Sequence, residues 1–212
     1  MIKLKSNKTK AYADKLIKVG ANVYSELPFE GSIYKEIICV EPLMYNEMLE
    51  SIKNFKGKCK TYPVKAAITD TDNQELDFHV YHNRDGEGRG QSSSVFLKKS
   101  QPAKTIKIQT RTLSSLIEEH GWAGDSFDLI LDCEGAELMS LQSLGTYINN
   151  AQKMQIETFS EPTAAHPWEG SSESKIDSFL ESDFNKVAER RNEGVFLADT
   201  VYLRKGLTFF DI

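Results

Sequence analysis

The chain has 212 residues, a formal net charge of −5 and 40% hydrophobic residues, values typical of a globular domain with room for a full core. The negative charge disfavours a nucleic acid as the main partner, and no apolar run approaches the ~20 residues that span a bilayer. Residues 1–14 are rich in lysine but lack the apolar stretch of a signal peptide. The sequence therefore predicts a single cytoplasmic domain over residues 1–212 that does not bind a membrane.

Apolar runs of strand length alternate with helical periods along most of the chain. The predicted strands are Leu16–Val19, Ile37–Val40, Tyr62–Ile68, Glu75–Tyr81, Ile106–Thr110, Leu129–Leu131 and Met154–Ile156, followed by a hairpin of Phe184–Glu189 and Val195–Leu203. The predicted helices are Leu43–Phe55, Thr112–His120, Ala136–Leu144 and Ile176–Leu180. This alternation indicates βαβ units. The expected fold is α/β and Rossmann-like, with a mainly parallel sheet and a C-terminal antiparallel hairpin.

The thiol and imidazole side chains do not have metal-ligand spacing. The residues concerned are Cys39, Cys59, Cys133, His79, His82 and His120. An odd number of widely spaced cysteines favours reduced thiols in the core. The sequence predicts no metal site.

The segment Asp128–Leu141 carries the strongest functional signal. A short apolar strand ends there in Asp132, Glu134 and Glu137, and a helical period follows. Because ligands bind at the carboxyl ends of the strands in open parallel sheets, Asp132 and Glu134 are candidate site residues. They would act as a general base toward a hydroxyl or as partners of a cationic ligand. Glu137 suits a structural role, since a helix N-terminus favours an acidic side chain.

Three further positions complete this set of strand ends. The turn Val19-Gly-Ala-Asn22 follows the first predicted strand, where a glycine allows close approach of a ligand. Glu41 follows the second strand, in the position from which an acid can accept hydrogen bonds from ribose hydroxyls. Glu157 follows a later strand, either as a site residue or as a partner of a lysine. The dinucleotide fingerprint is absent, so the pattern indicates an adenosine-containing ligand without a pyrophosphate.

Two loops are further candidates. Ser92, Ser93 and Ser94 follow a glycine-rich stretch, which either cradles a cofactor or substrate or is a solvated loop. His166 lies in the long polar loop 160–172, beside a proline and a tryptophan. Such loops often form lids, so His166 is either catalytic or incidental.

Taken in order, these residues resemble the FkbM-type methyltransferase family, from about Leu16 to Lys205. The matching pieces are Val19–Asn22, Val40–Pro42, Ala66-Ala67 with Asp70, Ser92–Ser94, Thr112-Leu113, Asp128–Glu137, Ile156-Glu157, Trp168–Gly170 and Asp199–Arg204. The segment Asp-Cys-Glu-Gly-Ala-Glu is the most specific of them.

The resemblance implies a methyltransferase that uses S-adenosylmethionine and methylates a hydroxyl oxygen of a small molecule or glycan. It implies that Gly20, Ala21 and Asn22 form the first cofactor motif and that Glu41 holds the ribose. It further places Asp70 near the adenine, and Asp132 and Glu134 near the transferred methyl group, where Asp132 also contacts the cofactor. No feature of the sequence indicates an oligomeric state.

Three positions depart from the family pattern. Lys18 stands where the family usually has an acidic residue, Val23-Tyr24 where it expects a glycine, and Ser114 where it commonly has an aspartate. These departures keep open a second hypothesis, a non-catalytic methyltransferase-like module that binds a partner or nucleotide. A third, a nucleotide-dependent oxidoreductase, is disfavoured because the glycine fingerprint is missing.

Overall fold

A computed structural model describes residues 2–3, 11–81, 93–96, 104–160, 169–191 and 197–208. The strands are β1 (Ile2–Lys3), β2 (Lys15–Val19), β3 (Glu36–Val40), β4 (Lys60–Val64), β5 (Ala67–Ile68), β6 (Glu75–Val80), β7 (Lys104–Arg111), β8 (Phe127–Leu131), β9 (Ala151–Phe159), β10 (Phe184–Arg191) and β11 (Leu197–Arg204). The α-helices are α1 (Leu27–Ile33), α2 (Tyr45–Asn54), α3 (Leu113–Glu119), α4 (Glu137–Gln142) and α5 (Glu173–Leu180), with 3-10 helices at Gly145–Asn150 and Glu169–Ser171.

The larger sheet has the strand order β1-β10-β11-β9-β8-β2-β3-β4. Its strands β4, β3, β2, β8 and β9 run parallel to their neighbours, whereas β11 is antiparallel to both β9 and β10. This arrangement confirms the predicted Rossmann-like α/β fold with a C-terminal antiparallel hairpin. After β2 the chain builds β3 and β4 on one side and returns to β8 on the other. The ends of β2 and β8 therefore form the crevice where such sheets bind ligands.

Apolar residues cover both faces of the central strands, as expected for parallel strands between layers of helices. One face packs against α3, α4 and α5, and its core includes Ile17, Leu129 and Ile156. The other face packs against α1 and α2, and its core includes Leu16 and Ile37. None of the helices in the described ranges is long and apolar enough to cross a membrane.

The prediction of one strand over Tyr62–Ile68 is wrong. The chain leaves the large sheet after β4 and enters a separate small sheet as β5, with the order β5-β7-β6. Pro63 lies in β4, which is an edge strand and tolerates a residue without an N–H. The small sheet therefore forms a wall beside the carboxyl ends of the main strands instead of extending them.

Two other elements differ from the sequence-based expectation. Helix α1 forms although its sequence contains Pro28 and Gly31. Strand β9 continues to Phe159, so Glu157 lies within the strand and not after its end. The turn of the predicted hairpin, residues 192–196, lies outside the described residues.

A charged pair is buried in the face that carries α1. Lys153 and Asp128 are almost completely buried, with Nζ 3.4 Å from Oδ2. The Tyr34 hydroxyl donates to the same carboxylate oxygen at 2.9 Å and accepts from Lys153 at 3.1 Å. Burial raises the pKa of Asp128 and lowers the pKa of Lys153, and the pairing opposes both effects because each charge stabilises the other.

Candidate active site

The turn after β2 is built around Gly20. Its φ angle is +76°, and a Cβ at this position would lie 1.8 Å from the carbonyl oxygen of Asp132. The amides of Gly20 and Ala21 both donate to the carbonyl of Val40, at 3.0 and 3.1 Å. Only glycine has room for this close approach and adopts the left-handed conformation without strain. The turn thus holds the ends of β2, β3 and β8 together.

The residues that follow Gly20 also adopt left-handed conformations. Asn22 has φ +51°, and its side-chain oxygen accepts a hydrogen bond from the Val23 amide at 2.8 Å. This local bond is one reason why asparagine tolerates that conformation. Tyr24 has φ +57° and is 1% exposed. Tyr24 therefore takes, at the point where the family pattern expects glycine, a backbone conformation that glycine adopts easily.

The Lys18 side chain contacts Tyr24 and two acidic residues at helix α1. Its ammonium nitrogen lies 5.4 Å from the centre of the Tyr24 ring and 2.9 Å from the Glu30 carboxylate. Glu26, at the start of α1, lies 3.6 Å away. The positive charge of Lys18 is thus opposed by two carboxylates. The two departures in the first motif, Lys18 and Tyr24, are therefore parts of one packed unit, in which the charge of Lys18 is compensated.

Glu41 is 6% exposed and organises the loop between β3 and α2. Its Oε1 accepts from the amides of Leu43 and Met44, at 2.7 and 2.9 Å. Its Oε2 accepts from the Asn22 amide at 2.8 Å. An ionised carboxylate has about four acceptor sites, so one remains on Oε2 beside the Gly20 turn.

A cavity of about 830 Å³ opens at this turn, within the range of ligand-binding pockets. One part is apolar, and residues of the small sheet and the α2 loop line it: Leu43, Ala67, Ile68, Phe78 and Val95. Ser93 also lines it, and Ser94 donates from its hydroxyl to the carbonyl of Glu134 at 2.6 Å. Asp70 is exposed and is not among the lining residues, so the structure does not bring it into the cavity.

Acidic side chains form a row at the other part of the cavity, which Asp132, Glu134 and Asp199 line. In the sheet, Glu157 of β9 is paired with Asp199 of β11. Its neighbour Ile156 is paired with Leu131 of β8, and Asp132 directly follows Leu131. Glu134 lies two residues beyond Asp132, with φ +52°. Carboxylate oxygens of Asp132, Glu134 and Glu157 all lie within 4.8 Å of one another. The structure therefore brings the three predicted strand-end acids together and adds Asp199.

The environment of this row disfavours full ionisation. Burial, and then the neighbouring charges of Glu137 and Asp199, raise the pKa of Asp132. Burial, and then the charges of Asp132 and Glu134, raise the pKa of Glu157. Asp132 is nevertheless accessible from the cavity. A carboxylate with a raised pKa is a stronger base than an ordinary one, which suits proton abstraction near neutral pH.

Glu137 has a structural role beneath the row. It is fully buried, and it accepts from the amides of Cys133 and Gly135 at 2.9 and 3.0 Å. The hydroxyl of Ser171 donates to the same carboxylate. Glu137 thus fixes the turn that carries Glu134 and begins helix α4.

Replacing Glu157 with glutamine should stabilise the protein at alkaline pH. The pKa of Glu157 is raised in the folded state. Its contribution to the free energy of unfolding is therefore fully present below pH ~4.5 and is lost as pH rises through the folded-state pKa. Relative to wild type, we expect a gain on the order of 2 kcal/mol in unfolding free energy at pH 8 and little difference at pH 4. Urea denaturation over this pH range measures it. The exposed Glu75→Gln is the control, and equal gains at both pH values would contradict the expectation.

Some predicted features lie outside the described residues, namely His166 and Ser92. The cysteines Cys39, Cys59 and Cys133 are all free thiols, as predicted. Sequence reasoning missed Glu30, Gln155 and Asp199, which also line the cavity. Of these three, only Asp199 could have been noticed in the sequence, because it is a charged residue inside the largely apolar segment that forms β11.

Comparison with known sequences decides the family. Residues 18–191 match the family model described as the methyltransferase FkbM domain. The chain belongs to the FkbM methyltransferase family. This FkbM protein is an S-adenosylmethionine-dependent methyltransferase, and S-adenosylmethionine is its cofactor. No curated protein sequence matches it.

Several solved structures are similar to the FkbM protein. A proposed tRNA (m1A22) methyltransferase from Streptococcus pneumoniae is 13% identical, with a TM-score of 0.44 over 96% of this chain and 68% of that one. The same protein in complex with S-adenosyl-L-methionine gives a TM-score of 0.43 at 13% identity, over 96% and 70% of the two chains. An uncharacterised protein from Listeria monocytogenes serotype 4b is 10% identical, with a TM-score of 0.48 over 92% and 64%.

Proposed function

We propose that this FkbM methyltransferase transfers a methyl group to a hydroxyl oxygen of a small molecule or a glycan. One observation carries the proposal: Asp132, a carboxylate with a raised pKa, is accessible in a cavity that begins at the Gly20 turn. An acceptor hydroxyl is a weak nucleophile until it loses its proton, and a nearby base removes that barrier.

The cavity suits the cofactor in shape and in chemistry. Gly20, Ala21 and Asn22 form the turn against which the amino-acid part would lie, and the remaining acceptor site of Glu41 would take a ribose hydroxyl. The apolar wall with Ala67 and Phe78 would hold the adenine. The carboxylates opposite would face the positive charge of the sulfonium, an arrangement that favours a cationic ligand.

When bound, S-adenosylmethionine supplies an electrophilic methyl group, whose carbon–sulfur bond breaks with the electron pair left on sulfur as the carbon–oxygen bond forms. Asp132 would accept the hydroxyl proton in this step. The cavity walls would hold the acceptor oxygen in line with the methyl carbon, and positioning of this kind supplies roughly 7–11 kcal/mol of barrier reduction. Proton removal adds about 10²- to 10⁴-fold in rate.

The charge of the cavity supports an uncharged acceptor. Asp132, Glu134 and Asp199, which line this part of the cavity, would repel phosphates, so a nucleic acid is a poor partner for it. Hydroxyl groups, in contrast, donate hydrogen bonds to carboxylates. This favours sugars and other alcohols.

Replacing Glu41 with glutamine should weaken cofactor binding by about tenfold, or roughly 1.4 kcal/mol. A glutamine amide cannot accept the three backbone hydrogen bonds of Glu41, because one of its two ends is a donor. Calorimetric titration with S-adenosylmethionine and S-adenosylhomocysteine measures the change. The exposed Glu47→Gln in α2 is the matched control and should bind as wild type does.

A panel of sugar and polyketide alcohols then tests the acceptor class, with methyl transfer followed by mass spectrometry. Methylation of any alcohol at oxygen supports the proposal. Tight cofactor binding without transfer to any alcohol would contradict it and would favour the non-catalytic module. Unchanged cofactor binding by Glu41→Gln would remove Glu41 from the cofactor site.

A further inference from the structure

We propose that Asp132, Glu134 and Glu157 bind one divalent metal ion with a preference for oxygen ligands, such as Mg²⁺, Mn²⁺ or Ca²⁺. The role given to the ion below rests on the proposed function, but its binding does not. The cysteines and histidines lack metal-ligand spacing, and the sequence alone therefore predicts no metal site. The carboxylates concerned come from two strands and are brought together only by the sheet.

The geometry of the three carboxylates suits one ion. An oxygen atom from each of Asp132, Glu134 and Glu157 lies within 4.8 Å of the other two. Oxygen ligands bind Mg²⁺ or Ca²⁺ at about 2.0–2.6 Å, so ligands on opposite sides of one ion are about 4–5 Å apart. A single ion can therefore reach all three side chains after small rotations of the carboxylates.

A second, independent observation comes from Gln155. This side chain is 6% exposed, lines the cavity together with Asp132 and Glu134, and forms a hydrogen bond with Asp199. On β9 it lies two residues before Glu157, on the same face of the sheet. No donor among the described residues reaches its oxygen Oε1, and a buried acceptor without a donor is costly. Water bound to a metal ion would supply the missing donor.

The charges around Glu157 also favour a bound cation. No described residue donates to its Oε2, although this atom is buried. The side chain pairs across the sheet with Asp199, another acid. Of the cations that line the cavity, Lys18 contacts Glu30 at 2.9 Å and Arg190 opposes the charge of Asp199. A divalent ion would neutralise the row, whereas a single proton satisfies only one oxygen.

The ligand set also limits which metal binds. Carboxylates and water are the ligands of Mg²⁺, Mn²⁺ and Ca²⁺, whereas sites for zinc usually include nitrogen or sulfur. An ion held here would contact the acceptor oxygen and lower the pKa of the hydroxyl group. It would therefore help the proton leave, whichever carboxylate or water takes it.

The test is a titration of the chelator-stripped protein with Mn²⁺, in which electron paramagnetic resonance measures the free ion. Neither cofactor nor acceptor is present. We expect one saturable site per chain below about 1 mM, from which Mg²⁺ displaces Mn²⁺. Glu157→Gln should bind at least about tenfold more weakly, since loss of an outer partner alone typically costs 10- to 100-fold. Glu26→Gln, a carboxylate on the same cavity outside the cluster, is the control and should bind as wild type does.

Thermal denaturation with and without Mn²⁺ checks that each variant is folded. If Glu157→Gln fails to fold, Asp132→Asn replaces it under the same criterion. No saturable site in wild type, or equal affinity in wild type and the cluster variant, would overturn the proposal. Methylation of an alcohol by metal-free protein would overturn the role of the ion but not the proposed function. Mn²⁺ binding without any methyl transfer would overturn the proposed function, and with it the role of the ion, but not the metal site.

Discussion

Replacing Asp132 with asparagine is expected to lower the rate of methyl transfer by about 10²- to 10⁴-fold. Asparagine keeps the size and an acceptor oxygen of the side chain, so the contact between the Asp132 carbonyl and Gly20 is preserved. It cannot take a proton from the acceptor. Single-turnover kinetics with saturating alcohol and saturating cofactor measures the chemical step separately from any change in cofactor affinity.

The pH profile separates a base from a residue that only shapes the cavity. A base must be ionised to act, so the rate in wild type should rise with pH through the raised pKa of Asp132. The variant should lose this rise. The exposed Asp70→Asn is the control, because Asp70 does not line the cavity. Full activity in Asp132→Asn would assign proton removal to another group.

Replacing Lys18 with methionine is expected to lower the free energy of unfolding by about 3–5 kcal/mol. Lys18 and Glu30 have side-chain exposures of only 9% and 6%, so the substitution leaves a buried carboxylate without its partner. The double variant Lys18→Met with Glu30→Leu should recover most of the loss, because apolar replacement of a buried pair is often neutral. Urea denaturation of wild type, Lys18→Met, Glu30→Leu and the double variant completes a double-mutant cycle and gives the coupling energy between the two side chains.

Lys35→Met is the control for this cycle. Lys35 also forms an ion pair, with Asp14, but both side chains are exposed, and such pairs contribute at most about 1 kcal/mol. A loss below 1 kcal/mol in Lys18→Met would contradict the buried pair. Lys18→Asp, which restores the acid of the family pattern, should likewise destabilise the protein, since it sets a third carboxylate beside Glu26 and Glu30.

The sequence predicted the central strands well because their signal is local. Leu16–Val19 and Ile37–Val40 are continuous apolar runs, and both are buried on the two faces of the sheet. Helix α1 was missed because Pro28 and Gly31 argue against a helix. Proline is tolerated in a first turn, and a Cβ on Gly31 would lie 2.5 Å from the Phe55 ring. A tertiary contact thus explains a residue that local propensity disfavours.

The site divides in the same way. Asp132, Glu134 and Gly20 stand next to apolar strands, so the sequence predicted their place at the strand ends, where they line the cavity. Asp199 and Gln155 belong to the cavity only through strand register, which pairs residues distant in the chain. Pattern within a segment carries no information on such pairing, and their roles required the structure.

The position of β11 makes completion of the candidate site depend on a strand that is synthesised after both of its neighbours. This strand, the last in the described chain, lies between β9 and β10, and it carries Asp199. A nascent chain that has reached only β10 leaves the edges of β9 and β10 unpaired, and such edges readily pair with other chains. Ribosome-bound intermediates should therefore depend on chaperones until β11 emerges and inserts, and premature termination before Leu197 should yield an aggregating product.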